Sequence, residues 1–472
     1  MPNDLGWPDP FPDVVADLRS SGQQSEDAPR RQQQVELLAG VAELTSEEDT
    51  LVDLLRRRRE DAGEDVVRLE VAETGRDRPT VVVPRELLLR EGGRDSTAAL
   101  RTLEEAGFSR ARFADSDVGC EELLGRVSPF TAPEGTNIDY VRRTAELLAQ
   151  EGFSAAPSAV LALHQIPRSR IVVKAGPGPS RTDVRDDPEI RLRGFHEPSN
   201  GVRVAVIDTG IADIVRKDRW LNEVPRSPDS IDPLDVFPAV AGQPAGNGKL
   251  DFAAGHGTFA AGIVRQIDPE AQIRCYAALD SDGFATEFAV ACAMIRAAKD
   301  GAQVINLSLG MQSVDNQPCL ALEVALDVIE EISEGSESPV LVASAGNYGT
   351  RDPVWPAASR RVISVAGLTA ALQPATWSSR GVWVDCSTVA EGIVSTFVMG
   401  EEDPEFGGNE TYPLNAWAVW VGTSFAAPQI AGATSRMCRE QGLSPREAVR
   451  RIIRLGTAIP DFGRAVRLLP GT

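Results

Sequence analysis

Asp208, His256 and Ser424 are residue types that act together in nucleophilic catalysis, and each lies at the end of a predicted element. Asp208 follows the apolar run 204–207, and His256 lies between two glycines where a helical run begins. Ser424 opens a helix rich in small residues, and such a helix N-terminus can stabilise a developing oxyanion. A carboxylate can orient an imidazole that takes the proton of a serine. The three residues therefore predict acyl transfer through a serine nucleophile.

Each of these residues also has a simpler structural explanation when it is considered alone. Asp208 could cap the turn after its strand, and Ser424 could be an ordinary helix N-cap. The sequence Asp-Thr-Gly at Asp208 also resembles the aspartic-protease motif, which needs a second carboxylate that only a homodimer would supply here. His256 favours the catalytic interpretation, because it is one of three histidines and its glycine neighbours leave it little to pack against.

Asn347 adds a fourth polar side chain just beyond an apolar run, at residues 340–345. A side-chain amide at that place can donate a hydrogen bond to the oxyanion of a tetrahedral intermediate. Its alternative role is that of a turn residue, since asparagine tolerates the left-handed conformation.

Apolar runs separated by helical patterns follow residue 201, at 202–207, 273–278, 304–309, 340–345 and 362–366. Continuous apolar strands that alternate with helices predict a parallel sheet covered on both faces. In such sheets the working residues lie on loops beyond the carboxyl ends of the strands. The candidate residues fall at such ends.

Changes in composition along the 472 residues predict four segments, and a chain of this length suggests two domains. Residues 1–35 are predicted to be a flexible tail, 36–175 a smaller N-terminal α/β domain, 176–200 a linker rich in Gly-Pro pairs, and 201–472 the catalytic domain. The basic run at 56–59 is predicted to be a solvated face without a function.

Charge and composition exclude some partners. A net charge of −21 argues against nucleic acid and against an anionic membrane surface. No apolar run is long enough to span a bilayer, and the N-terminus lacks the pattern of a signal peptide. Six scattered cysteines predict buried free thiols and, with the missing signal, a cytoplasmic location.

The order Asp, His, Asn, Ser and its surroundings resemble the subtilisin-like serine proteases, the subtilase family (peptidase family S8). The matching motifs lie at residues 204–210, 255–261, 304–310, 343–347 and 422–432. The resemblance implies a three-layer α/β fold with a mostly parallel sheet flanked by helices. It also implies a serine endopeptidase that hydrolyses protein or peptide substrates through an acyl-enzyme.

The resemblance also assigns roles to individual residues. Ser424 attacks the substrate, His256 transfers protons, Asp208 orients His256, and Asn347 with the Ser424 N–H binds the oxyanion. An extended substrate would pair with two edge strands, and a pocket would hold one of its side chains. The residues implied for substrate binding are Ser308, Leu309, Gly310, Gly283, Ala345 and Gly346.

Two departures from the family change what is expected of this chain. Residues 265–270 lead straight to the strand at Ile273, so the calcium-binding loop of many relatives is predicted to be absent, and no metal or other cofactor is expected. Residues 403–412 are an acidic insertion, predicted to be a solvated loop, although it could instead favour basic substrates.

The N-terminal domain and the activity both leave alternatives open. The domain could be a propeptide that chaperones and inhibits the protease, a regulatory domain or a structural extension. A propeptide would be released by cleavage between about residues 175 and 200. The alternative to an active protease is a catalytically inactive subtilisin-fold binding or scaffold protein.

Overall fold

The structure is a computed structural model of the chain. It describes residues 15–17, 55–56, 58–59, 67–74, 78–91, 96–111, 120–163, 176–177, 201–237, 246–313, 316–333, 337–406 and 410–469.

The strands, in chain order, are β1 (Ala16–Asp17), β2 (Glu70–Thr74), β3 (Arg78–Arg90), β4 (Ser109–Arg110), β5 (Val127–Thr131), β6 (Ala155–Ala162), β7 (Gly176–Pro177), β8 (Arg203–Asp208), β9 (Ile211–Ala212), β10 (Ile231–Asp232), β11 (Gln272–Ala277), β12 (Phe284–Thr286), β13 (Val304–Leu307), β14 (Val340–Ser344), β15 (Val362–Leu368), β16 (Cys386–Val389), β17 (Ile393–Thr396), β18 (Gly400–Glu401), β19 (Thr411–Tyr412), β20 (Trp417–Trp420), β21 (Thr457–Ile459) and β22 (Gly463–Arg467). The helices are α1 (Thr97–Glu105), α2 (Glu121–Leu124), α3 (Ile138–Gln150), α4 (His256–Ile267), α5 (Glu287–Lys299), α6 (Leu320–Ile332), α7 (Ala427–Gln441) and α8 (Pro445–Leu455), with short 3-10 helices at Pro404–Phe406 and Thr423–Phe425.

The central sheet has the order β1-β22-β16-β15-β14-β13-β8-β11, and β21 pairs with β22 outside this path. All neighbours along the path are parallel, whereas β21 is antiparallel to β22. The five apolar runs form β11, β8, β13, β14 and β15 in this sheet. The predicted parallel sheet is therefore confirmed.

Helices cover both faces of the central sheet, which gives the predicted three layers. In β8, Val204 and Val206 face the layer of α4 and α7, while Ala205 and Ile207 face the layer of α5 and α6. Because every residue of the strand then meets apolar neighbours, the run is continuously apolar instead of alternating.

The N-terminal region contains a second, antiparallel sheet with the order β12-β6-β3-β5-β4, and β2 pairs with β3. Helices α1 and α3 pack on one face through Leu103 and Leu148, against Leu87 and Leu89. The edge strand β12 belongs to the catalytic part of the chain. The two parts of the protein therefore share a sheet.

The other face of this sheet packs on α5 and α6, and a buried glutamate joins the two parts. Leu88 and Leu161 belong to the same apolar cluster as these helices. Glu287, the first residue of α5, accepts hydrogen bonds from the N–H of Ala159 at 2.9 Å and of Ala321 at 2.7 Å. Its burial raises the pKa of Glu287 to about 7.

Two short segments differ from the sequence-based expectation. Ala16 and Asp17, in the predicted flexible tail, form β1 at the edge of the central sheet. Gly176 and Pro177, in the predicted linker, form β7 against β20, because a proline without an N–H can still occupy an edge strand.

None of the described helices is long and apolar enough to cross a membrane.

The basic run was predicted to be a solvated face, and for Arg58 and Arg59 this prediction is wrong. Both side chains are buried, at 8% and 1% exposure, against carboxylates of the catalytic part. The pairing partners lie hundreds of residues away along the chain, so the local charge pattern could not reveal them.

We predict that Glu287→Gln flattens the dependence of stability on pH. The folded protein holds the Glu287 proton more tightly than the unfolded chain does, since its pKa is raised. The free energy of unfolding therefore falls as the pH rises from the ordinary pKa of glutamate to about 7, by up to about 1.4 kcal/mol per pH unit. Glutamine does not ionise, so this slope disappears. Urea unfolding of the Ser424→Ala protein with and without Glu287→Gln measures how the free energy of unfolding changes with pH. Equal slopes of this free energy against pH in the two proteins would contradict the prediction.

Candidate active site

Asp208 and His256 form a buried hydrogen-bonded pair at the carboxyl edge of the central sheet. Asp208 ends β8, and His256 is the first residue of α4. The His256 Nδ1 lies 2.8 Å from Oδ1 and 2.9 Å from Oδ2 of Asp208, and the two side chains are 1% and 0% exposed. A carboxylate in this position holds the ring orientation and stabilises an imidazolium.

The ring of His256 is also held by aromatic side chains. It meets Trp420 edge-on at 5.3 Å between centroids and lies 5.0 Å from Phe425, the residue after Ser424. Little packing was expected around His256 from its glycine neighbours. In the structure its neighbours come instead from residues far along the chain. This packing restricts the ring and keeps water from its buried side.

Glycines on both sides of the histidine permit a close approach of backbones. Gly255 has φ of 84°, which favours glycine, and it is the N-cap residue of α4. A Cβ at Gly257 would lie 2.1 Å from the Gly210 carbonyl oxygen. The turn after Asp208 and the start of α4 therefore fit together only because these side chains are missing.

A second buried carboxylate, Asp232, ties the Asp208 turn to the His256 turn. Its Oδ2 accepts hydrogen bonds from the Thr209 hydroxyl at 2.7 Å and from the Gly255 N–H at 2.8 Å. The Thr209 hydroxyl in turn accepts from the Gly257 N–H at 3.1 Å. Burial raises the pKa of Asp232 to about 6, although the hydrogen bonds oppose this shift.

Ser424 lies in the 3-10 helix Thr423–Phe425, immediately before α7. Its hydroxyl donates to the Ser308 carbonyl oxygen at 3.1 Å, and the Ser308 hydroxyl donates to the Ser424 carbonyl oxygen at 2.6 Å. These reciprocal bonds fix Ser424 against the loop after β13. The candidate nucleophile Ser424 and the substrate-binding candidate Ser308 are thereby brought together.

The amide of Asn347 has a defined orientation. Its Oδ1 accepts hydrogen bonds from the N–H and the hydroxyl of Thr423, both at 2.9 Å. The Thr423 hydroxyl itself accepts from the Gly346 N–H at 3.0 Å, so its proton points to Asn347. Both donors meet the oxygen, and the NH₂ group of Asn347 lies beside Gly422.

The implied substrate residues line a cleft that the N-terminal domain occupies. Ala162, at the end of β6, exchanges hydrogen bonds with Gly310 at 3.1 and 3.4 Å, and the Leu163 N–H donates to the Gly283 carbonyl at 3.0 Å. One stretch of extended backbone is thus paired on both sides. Leu309 is buried just before Gly310.

Ala345 and Gly346, two of the residues implied for substrate binding, lie directly after β14. Ala345 is fully buried and donates its N–H to the Val365 carbonyl at 2.9 Å, so it is part of the sheet edge. Gly346 has φ of 89° and contacts the Thr423 hydroxyl through its N–H. All ten residues predicted for the site therefore lie along the same edge of the sheet and the adjoining cleft.

Three residues that hold this arrangement were not predicted from the sequence: Thr209, Asp232 and Thr423. The two threonines stand next to Asp208 and Ser424 in the recognised motifs, so position was an available signal. Asp232 is separated from His256 by 24 residues, and nothing in the local sequence marks it.

The region after α4 is closed by internal contacts. Asp268, fully buried, accepts hydrogen bonds from the Ser435 hydroxyl at 2.6 Å and from Arg439 at 3.0 Å. Within the described ranges, no group of three or more His, Cys, Asp or Glu side chains is arranged to hold a metal ion.

The acidic insertion was predicted to be a solvated loop, and its described part is folded instead. At its end, strand β19 pairs with β18, which lies just before the insertion, and Phe406 and Asp403 are buried at 3% exposure each. Asp403 bonds to Arg58 at 2.9 Å and to Asn247 at 2.8 Å. The partners that bury its charge come from distant segments.

Comparisons with known proteins agree with the fold of this chain. A thermophilic serine proteinase of Bacillus sp. (strain AK1) is 31% identical over 51% of this chain, and the match spans about half of that relative, 53%. Thermitase of Thermoactinomyces vulgaris is 29% identical over 51% of this chain and 76% of its own length. The crystal structure of fervidolysin from Fervidobacterium pennivorans, a keratinolytic enzyme related to subtilisin, matches with a TM-score of 0.53. That match covers 86% of this chain and 64% of fervidolysin at 19% identity, which supports the fold alone.

The family profile covers more of the site than any single motif does. It matches residues 199–459, which is over half of the chain and includes every candidate catalytic and substrate-binding residue. With its central parallel sheet and the relatives above, this chain belongs to the subtilase family, peptidase family S8.

Proposed function

We propose that this protein is a serine endopeptidase that cleaves peptide bonds through an acyl-enzyme. The observation that carries the proposal is the buried contact of His256 with both carboxylate oxygens of Asp208, beside the turn that holds Ser424. A histidine fixed in this way, within a water-poor site, is suited to take a proton from a serine and return it to a leaving amine.

In the proposed reaction the Ser424 oxygen forms a bond to the scissile carbonyl carbon as its proton passes to His256. The tetrahedral intermediate collapses when His256 donates that proton to the leaving nitrogen, and the peptide C–N bond breaks. Water then attacks the ester carbonyl carbon as its proton passes to His256. The ester C–O bond breaks when His256 returns that proton to the Ser424 oxygen. Asp208 stays ionised throughout and stabilises the imidazolium.

The oxyanion of the intermediate is proposed to receive hydrogen bonds from the Asn347 amide and the Ser424 N–H. Support comes from Thr423, which occupies Oδ1 of Asn347 with two donors and so leaves the NH₂ group free to act as a donor. Because this orientation exists before substrate binds, little reorganisation is needed during the reaction.

We propose that the N-terminal domain inhibits the protease by occupying the substrate cleft. Leu163 and Ala162 use the carbonyl of Gly283 and the backbone of Gly310. These are the groups that an extended peptide would need for β-strand addition. As long as they are paired with β6, a substrate cannot use them.

The scissile bond that would release this domain is proposed to lie between residues 164 and 175. Before this segment, Leu163 pairs in the cleft, and after it, Gly176 pairs with Val419 of β20 in the catalytic part. Cleavage within the segment would leave β6 on the inhibitory domain and β7 on the protease. This window lies earlier in the chain than the one predicted from composition, 175–200, because that prediction placed the cleavage in the linker that begins with the Gly-Pro pairs.

We also propose that the protein works in a reducing compartment, as the cytoplasm is. All six cysteines are buried free thiols. Burial raises the pKa of Cys275, Cys319 and Cys386, which keeps these thiols protonated and unreactive. Such cysteines need no disulfide partner to be stable.

We expect a fluorophosphonate probe to label Ser424 of the full-length protein and to leave Ser424→Ala unlabelled. Peptide mapping by mass spectrometry identifies the labelled residue. The expectation follows from a serine whose proton can pass to His256. A folded wild-type protein that takes no label would support the inactive scaffold instead.

We expect Asn347→Ala to lower kcat on a peptide substrate by about 100- to 1,000-fold, as the loss of one oxyanion donor does in enzymes of this kind. Thr423→Val should lower kcat about tenfold, because it removes the hydroxyl that orients the amide. Thr434→Val is the matched control, since its buried hydroxyl donates to the Ile430 carbonyl within α7. An equal loss of kcat in the control would show that the effect is structural.

We expect wild-type protein to be cut by its own activity within residues 164–175, while Ser424→Ala stays intact. Intact-mass measurement during expression and storage gives the position of the new ends. A wild type as uncut as Ser424→Ala, or a cut elsewhere, would overturn the proposed release.

A further inference from the structure

A short helical turn of the N-terminal region presents two arginines to the catalytic part. Leu55, Arg56, Arg58 and Arg59 have helical backbone. Leu55, Arg58 and Arg59 are buried, whereas Arg56 is exposed. The buried residues stand at positions i, i+3 and i+4, which lie on one face of a helix. That face is turned towards the catalytic part of the protein.

Arg58 is held by two carboxylates from separate segments. One guanidinium nitrogen donates to Asp251 at 2.8 Å and the other to Asp403 at 2.9 Å. The guanidinium carbon lies 5.3 Å from the ring centre of Phe237 and 4.8 Å from that of Phe406. Both charge pairing and contact with aromatic faces therefore stabilise it.

Arg59 makes a bidentate pair with Asp280 and is 1% exposed. Its two terminal nitrogens donate to the two Asp280 oxygens at 2.8 and 2.9 Å. One of them also lies 3.8 Å from Asp282. The guanidinium carbon is 4.4 Å from the ring centre of Phe284. The two oxygens of Asp280 fit the planar guanidinium, and they would not fit an ammonium group equally well.

The carboxylates of this acidic site (Asp251, Asp280, Asp282 and Asp403) depend on the arginines. Burial raises the pKa of Asp251 to about 8, with the charge of Asp282 adding to the shift, and burial raises that of Asp282 to about 6. The fully buried Asp282 Oδ2 has no hydrogen-bond donor among the described residues, and Arg59 is the cation that faces it. Ionised carboxylates that are buried without a cation are costly, so a cation at the site favours their ionised form.

The acidic site also shapes the strand that the cleft uses. Asp280 Oδ1, besides its bond to Arg59, accepts the N–H of Asp282 and of Phe284, both at 3.1 Å. Gly283 lies between these two residues and accepts the Leu163 N–H. Asp282 Oδ1 accepts the Phe252 N–H at 3.0 Å, in the loop that leads to His256. A cation at this site thus supports the backbone on which substrate would pair.

We propose that the acidic site is a binding site for two neighbouring guanidinium groups, separate from the catalytic residues, and that Arg58 and Arg59 fill it. In the full chain the arginine pair is a second anchor of the N-terminal region, beside the strand pairing in the cleft. Its inhibitory effect rests on the proposed function. Once the N-terminal region leaves, the vacant site takes arginine side chains of other peptides.

The test is amide hydrogen exchange of β12 and its flanking residues in the full chain carrying Ser424→Ala. The double substitution Arg58→Gln and Arg59→Gln should speed this exchange about tenfold or more, the effect expected when charge-assisted hydrogen bonds are lost. Millimolar methylguanidinium should slow the exchange again in the double variant, and methylammonium should not. Unchanged exchange in the double variant, or equal protection by methylammonium, would overturn the proposal.

Arg56→Gln is the matched control, because it removes one positive charge from the same turn outside the acidic site. It should leave the exchange of β12 as in the parent, and an acceleration equal to that of the double variant would count against the site. Should the double glutamine variant not fold, Arg58→Lys with Arg59→Lys takes its place. In that lysine variant, β12 should exchange its amide hydrogens faster than in the parent. Exchange as slow as in the parent would overturn the proposal.

Failure of the endopeptidase proposal would look different. Exchange in the Ser424→Ala background needs no catalysis, so it reports on the arginine pair alone. With Ser424 present, the double glutamine variant should react faster with a fluorophosphonate than wild type does. If exchange changes as expected but no variant is ever labelled, the guanidinium site stands and the protease activity does not.

Discussion

Parallel pairing of β8, β13 and β14 in aligned register is the constraint on which the rest of the site depends. Val204 pairs with Val304, and Val304 pairs with Val340, so the three strands end at the same level. Asp208 therefore stands beside the start of the Ser308 loop, and Asn347 follows only three residues beyond the end of β14. Because hydrogen-bonded strands lie only about 5 Å apart, loops that leave one edge must converge. A slip of one residue in any strand would turn its side chains to the opposite face.

Buried carboxylates recur wherever two segments meet in this protein. Asp208 binds His256, Asp232 joins the two turns around it, and Glu287 joins the N-terminal sheet to α5 and α6. The acidic site around Asp280 joins the arginine turn to the cleft strand. Each carboxylate is stabilised by donors from distant residues, because a buried charge without them would be expelled or protonated. The same physical demand thus organises the catalytic centre and the domain interface.

The proposed inhibition by the N-terminal domain and the proposed recognition of substrate use the same edge of a sheet. Strand β12 is the edge strand of the N-terminal sheet, and Gly283 just before it faces the cleft. The backbone groups of an edge strand can pair with any extended chain. In the proposed inhibition, the N-terminal domain and a peptide substrate therefore compete for the same hydrogen bonds, and side-chain contacts such as those of Arg58 and Arg59 favour the domain while it is in place.

The sequence by itself determined the parallel sheet, the positions of its apolar strands along the chain and the identity of the motif residues, since these follow from local patterns. Doubly buried strands are continuously apolar, and the glycines around His256 mark a close backbone approach that the structure contains between Gly257 and Gly210. Only the tertiary structure decided the roles of Asp232, Arg58 and Asp403. Asp403 is separated from Arg58 by 345 residues, so no local pattern links them. A charged run looks the same whether it faces water or distant carboxylates. The burial that makes these charges matter exists only once the chain has folded.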